Sequence, residues 1–97
     1  MPAYITLINF TEQGVRNVKD TVKRARDVEK ALEAVGGRKI GIWWTMGKYD
    51  MVFISEGPDD ETAMRVTIAT CMQGNVRTMT MKAFSEDEME KIVAGLP

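Results

Sequence analysis

The stretch Trp43-Trp44-Thr45-Met46-Gly47-Lys48-Tyr49-Asp50 sets two indoles, a phenol, an ammonium and a carboxylate within eight residues. A tyrosine beside an aspartate is raw material for acid–base catalysis, with Asp50 taking a proton and Tyr49 donating a hydrogen bond to a substrate oxygen. The same stretch can serve a binding site instead. Trp43, Trp44 and Tyr49 offer stacking surface, Thr45 and Asp50 offer polar contacts, and Lys19 or Arg77 can supply charge for an anionic group. Gly47 fits a third role, the backbone torsion of a turn.

The chain has no histidine. That removes Ser-His-Asp and Cys-His catalysis, a proximal-histidine haem and the usual zinc and non-haem iron ligand sets, so no cofactor or metal is expected. Cys71 is the sole cysteine. It excludes an intrachain disulfide, suits a reducing compartment and, lying in a helical stretch without a histidine to activate it, reads as a packed thiol. The net charge of -1 gives no reason to expect nucleic acid or an acidic membrane as partner. No stretch approaches the roughly 18 apolar residues of a membrane span, and the N-terminus lacks the basic segment of a signal peptide. Cytoplasmic residence is the expectation. Charge is nonetheless uneven: residues 16–39 hold eight basic side chains against four acids, and 56–61 with 86–90 hold eight acids and no bases. A solvated helix face explains such a run, as does an anion-attracting surface or complementary charge between subunits.

The 97 residues suffice for one domain, 1–97, with a modest core. Ala3 to Phe10 alternates as a strand, with Tyr4, Thr6, Ile8 and Phe10 on one side and Ile5 and Leu7 on the other. Thr11 offers an N-cap, and Val15, Val18, Val22, Ala25, Leu32 and Val35 recur at helical spacing up to Gly36-Gly37, predicting one long amphipathic helix. Lys39–Met46 and Asp50–Glu56 read as a hairpin. Pro58-Asp59-Asp60-Glu61 opens a helix running to about Met72. Val76–Ala83 alternates as a fourth strand, and Ser85 with Glu88 has capping-box spacing before a last short helix bearing Met89, Ile92, Val93 and Leu96.

The order β-α-β-β-α-β plus a C-terminal helix predicts an α+β, ferredoxin-like fold: a four-stranded antiparallel sheet with its first and third strands central. One face of such a sheet is covered by helices, so the other should be polar. Here Met51 and Phe53 oppose Val52 and Ile54, and the first strand is likewise apolar on both sides. A second copy of the chain covering the open face, making a dimeric α/β barrel, accounts for this.

With Gly47-Lys48 as a two-residue type II' turn, Met46 faces Tyr49, Thr45 faces Asp50, Trp44 faces Met51 and Trp43 faces Val52. Alternation then puts Ile42, Trp44, Met46, Tyr49, Met51 and Phe53 on one face and Trp43, Thr45, Asp50, Val52 and Ile54 on the other. Tyr49 and Asp50 point apart. Asp50 is expected to bond turn amides or the Thr45 hydroxyl.

Met-Gly-Lys-Tyr-Asp-Met-Val carries a Gly-x-Tyr-Asp signature, and with Thr-Glu-Gln-Gly at 11–14, Ala-Val-Gly-Gly at 34–37, Pro-Asp-Asp at 58–60, Gly-Asn-Val-Arg-Thr at 74–78 and Ala-Phe-Ser at 83–85 the chain resembles the GYD domain family nearly end to end. The resemblance implies a dimeric α/β barrel and supplies no reaction. Many relatives have Ser-Pro where this chain has Thr21-Val22, a departure expected to straighten or extend the first helix. The wider superfamily includes cofactor-free monooxygenases, haem-dependent enzymes and ligand-sensing regulatory domains; fold analogy alone does not choose among them.

Two functions follow. The first is a homo-oligomeric module that binds a small molecule without catalysis. The alternative is a cofactor-independent monooxygenase- or isomerase-like enzyme acting on a small aromatic or enolisable compound, with Asp50 as base and Tyr49 as donor.

Overall fold

The computed structural model describes residues 1–97. In chain order the elements are β1 (Ala3–Phe10), α1 (Glu12–Arg16), a 3-10 turn (Val18–Asp20), α2 (Thr21–Ala34), β2 (Arg38–Trp44), β3 (Met51–Glu56), α3 (Asp60–Met72), β4 (Val76–Ala83) and α4 (Glu86–Ala94). The strands form one antiparallel sheet in the order β2-β3-β1-β4. The first and third strands are central, as the crossover rule requires, and the fold is the ferredoxin-like α+β arrangement.

The long first helix is not continuous. It is broken into α1, the 3-10 turn and α2 because its start is clamped elsewhere. The Thr11 N–H donates to the Asn75 carbonyl at 3.0 Å, and the Thr11 hydroxyl donates to the Gly74 carbonyl while accepting from the Gly14 N–H at 3.1 Å. Gly14 lies so close to the same turn that a Cβ there would sit 2.0 Å from the Asn75 oxygen. Fixed to the entrance of β4, α1 cannot also lie along the sheet. The chain turns at Asn17, whose carbonyl accepts from the Asp20 N–H at 3.1 Å, and restarts at Thr21. Thr21-Val22 therefore does not straighten the helix. The break also resets its phase: Val15, Val18, Val22 and Val35 are exposed, and the inward stripe of α2 is Arg24, Ala25, Val28 and Leu32.

The later elements follow their local signals. Asp59 caps α3 by accepting from the Thr62 N–H at 2.7 Å, and Ser85 and Glu88 form the full capping box of α4. The α3 start is also tied across the fold. Asp60 accepts from the Tyr4 hydroxyl on β1 and from Lys82 Nζ on β4. The buried core is thin and lies between sheet and helices: Tyr4, Ile8, Leu32 and Met51, with Thr6 and Ser55 among them. The opposite face of the sheet has no layer over it, and α4 has no extensive packing against any other element. Its Met89, Ile92 and Val93, and Leu96 just beyond it, are each more than two-fifths exposed.

Candidate functional site: a cavity beneath the helices

Strand alternation and register decide which side chains meet. Pairing Tyr4 with Ser55 and Lys82, Thr6 with Phe53 and Thr80, and Ile8 with Met51 and Thr78 puts these residues on the helix-covered face. Between that face and α2 and α3 is a cavity of about 100 Å³. Its apolar walls include Ile8, Phe10, Val28, Met51, Phe53 and Val66. Hydroxyls interrupt them. Thr6 and Thr80 oxygens lie 3.3 Å apart, while Thr67 and Thr70 donate back to the Ala63 and Val66 carbonyls of α3. A bonded hydroxyl of this kind keeps acceptor capacity for a further partner.

At one end the Tyr4 phenol is pushed up to about 12, first by its burial and then by the Asp60 carboxylate to which it donates. The Asp60 carboxyl is held below the usual range, mainly by that hydrogen bond and then by Lys82. This linkage is a structural tie rather than a reactive pair, since it keeps the phenol protonated.

At the other end sits the loop that closes the β2-β3 hairpin. The register is the expected one, Trp44 opposite Met51 and Trp43 opposite Val52. The turn is wider than two residues. The strands stop at Trp44 and resume at Met51, with the Thr45 N–H donating to the Asp50 carbonyl at 2.8 Å and the Thr45 hydroxyl donating to the Tyr49 carbonyl at 2.6 Å. Gly47 has φ 107° and open space around it, so its role is the backbone torsion alone.

The Asp50 carboxylate does not bond turn amides or the Thr45 hydroxyl. It accepts from the Phe10 N–H at 2.8 Å, and the Asp50 N–H donates to the Ile8 carbonyl at 2.9 Å. Asp50 thus finishes the β1-β3 ladder beyond β3. Tyr49 has the Lys48 ammonium over its ring at 5.8 Å and is not bonded to Asp50.

The sequence-derived binding residues divide between places. Trp44 faces the helices, its indole N–H donating to the Thr21 hydroxyl at the start of α2, 3.1 Å away. Trp43 is on the open face, folded back over Gly41. Arg77, opposite Asn9, is on that open face too, and Lys19 is exposed in the 3-10 turn. Neither contributes to the cavity. Arg24, which sequence reasoning counted only within the basic run, does line it. Its spacing of four from Val28 and of eight from Leu32, a cation on an apolar stripe, was the available signal. Cys71 is half-buried with its sulfur 3.4 Å from the Thr78 hydroxyl. No three Cys, Asp or Glu side chains converge as metal ligands, and no helix is long and apolar enough to cross a membrane.

The fold defines a ferredoxin-like α+β protein whose concave interior opens beneath its two long helices. A family model described as GYD domain matches residues 4–93, and the chain belongs to that family. A relative from Thermus thermophilus named glutamine synthetase and cystathionine beta-lyase binding protein is 31% identical over 84 residues, covering 86% of this chain and 88% of the relative. A crystal structure of a Thermus thermophilus protein, 21% identical, shares the fold with a TM-score of 0.55 over 88% of this chain and 95% of that one.

Proposed function

We infer that this chain is a cytoplasmic binding module without catalysis, which holds a small molecule in the cavity beneath its helices and associates with a second copy through the open face of its sheet. The observation that carries this reading is a sheet apolar on both faces, with hydroxyls set among the apolar side chains of the covered face only. Ile5, Leu7, Val52, Ile54, Met79 and Met81 make the uncovered face, with Trp43 55% exposed and Met79 52% exposed. A contiguous apolar surface of this kind is the usual mark of an interface. The covered face spends buried volume on polar groups, as ligand sites do.

Two further points support binding over turnover. Asp50, the one candidate base, is committed to a strand amide and is separate from Tyr49. The name of the Thermus relative describes binding to enzymes, and by likeness adds protein partners to what this chain would bind. Once a second copy covers the sheet, the apolar side of α4 is the surface left for such a partner.

The assembly is tested by size-exclusion chromatography with light scattering on wild type and Val52→Lys. A dimer is expected for wild type. Burying a lysine at the centre of the interface should weaken it by about 3 kcal/mol or more, roughly a hundredfold, leaving a folded monomer. A wild-type monomer at high micromolar concentration would remove the interface from the proposal.

A further inference from the structure

The cavity holds a cation whose charge nothing in the protein answers. Arg24 lies in the first turn of α2, and its Nη1 donates to the Asn17 carbonyl at 2.7 Å, which pins the guanidinium at the cavity wall. Nη2 is shielded from solvent and meets no acceptor in the protein. No carboxylate pairs with Arg24. Arginine stays charged throughout the range in which proteins fold, and a donor nitrogen withdrawn from water without an acceptor costs free energy that a bound acceptor would recover.

Glu56, the acidic residue of the cavity lining, cannot answer it. It pairs with Arg38 at 3.2 Å and lies at the Leu32 end, where a Cβ on Gly37 would meet both Leu32 and the Glu56 carbonyl. Arg24 is eight residues from Leu32, about 12 Å along α2. Its own end is bounded by the close of β1, the start of β3 and the last turn of α3, which bring Phe10, Met51, Thr70 and Gln73 to the same region. That end combines one fixed cation with apolar walls and hydroxyl or amide groups.

We propose that the Phe10 end of the cavity binds a small organic monocarboxylate, which accepts a charge-assisted hydrogen bond from Arg24 Nη2 and lays its apolar body against Ile8, Met51 and Phe53. Each part of the ligand answers an observed feature. The carboxylate supplies the missing counter-charge, and such bonds are about twice as strong as neutral ones. The apolar body fits the walls. A water requires about 10–15 Å³ on the same measure, so the cavity admits on the order of seven to ten heavy atoms, the size of benzoate or a short-chain acid. Inorganic phosphate would meet the charge and leave the walls unused. The inference rests on the reading of the cavity as a small-molecule site and adds the chemical class of its ligand.

The test is titration of the full chain with benzoate, its neutral counterpart benzamide, butyrate and inorganic phosphate, followed by calorimetry and by amide chemical shifts. Benzoate is expected to bind at least tenfold more tightly than benzamide, to shift the amides of Phe10, Met51 and Thr21, and to resist displacement by phosphate. Arg24→Met should bring benzoate down to the affinity of benzamide and leave benzamide unchanged, while Arg24→Lys retains part of the preference. If Arg24→Met does not fold, the benzoate-to-benzamide ratio in wild type and Arg24→Lys decides. Equal binding of benzoate and benzamide overturns the carboxylate assignment and leaves the cavity reading standing. Displacement of benzoate by phosphate at equal concentration, or shifts confined to the open face, also overturns it. No binding by any of the four probes removes both the assignment and the cavity reading.

Discussion

On the face of the sheet that the helices cover, Thr6, Ser55, Thr78 and Thr80 stand among Ile8, Met51 and Phe53; on the face left open, Ile5, Leu7, Val52, Ile54, Met79 and Met81 form an apolar centre, with Asn9 and Arg77 at one end. A monomer folded for stability alone would reverse this, since burying a hydroxyl costs free energy unless it is bonded and exposing apolar area forfeits the hydrophobic gain. The covered face restores part of the loss by pairing Thr6 with Thr80 and Thr78 with the Cys71 sulfur, while the Thr67 and Thr70 hydroxyls opposite bond carbonyls of their own helix. The two faces fit the two proposed roles, one as the wall of a binding cavity and one as a surface for association.

Leu32, 4% exposed, anchors α2 over the covered face. Leu32→Ala should cost about 3 kcal/mol in urea unfolding, at every protein concentration. Leu7→Ala, the same truncation on the open face, should cost less in dilute solution and more as concentration rises, because it removes an interface position. Equal losses at all concentrations would erase the distinction between the faces.

Tyr4→Phe sharpens the covered side at its other end. Losing the hydroxyl donated to Asp60 should cost about 1 kcal/mol at neutral pH. Its pH dependence has a definite sign. A phenol whose folded value is raised from 10.0 to about 12 contributes stability that is complete below pH 10 and is lost as pH rises towards 12. Unfolding midpoints measured across that alkaline window should fall in wild type and flatten in Tyr4→Phe. At the acid side, Asp60 is held low by the same bond, so wild type should lose this contribution as pH falls below the ordinary carboxylate range and converge on the variant, whose profile there should be flatter.

The smallest effect is expected at Ser85→Ala. Loss of the capping box should cost about half a kcal/mol, at the low end for an N-cap because α4 packs on little else, and circular dichroism should show fraying of that helix with the sheet unchanged.

What the sequence determined by itself was local or periodic. Alternation in Ala3–Phe10 and Val76–Ala83 was enough for the strands, Ser85 and Glu88 for the α4 cap, and the facing of Trp44 with Met51 for the hairpin register, since each depends on residues only a few positions apart. The tertiary structure decided the rest. The break after Arg16 arises from Asn75, some sixty positions away, pressing on Thr11 and Gly14. Asp50 was drawn from the turn to the Phe10 amide by a strand forty residues distant, a competition no local pattern records. Alternation with apolar groups on both sides of β1 is symmetric, so which face the helices cover is settled only when α2 and α3 pack. That packing turned Arg24 from one charge in a basic run into the lone cation lining the cavity.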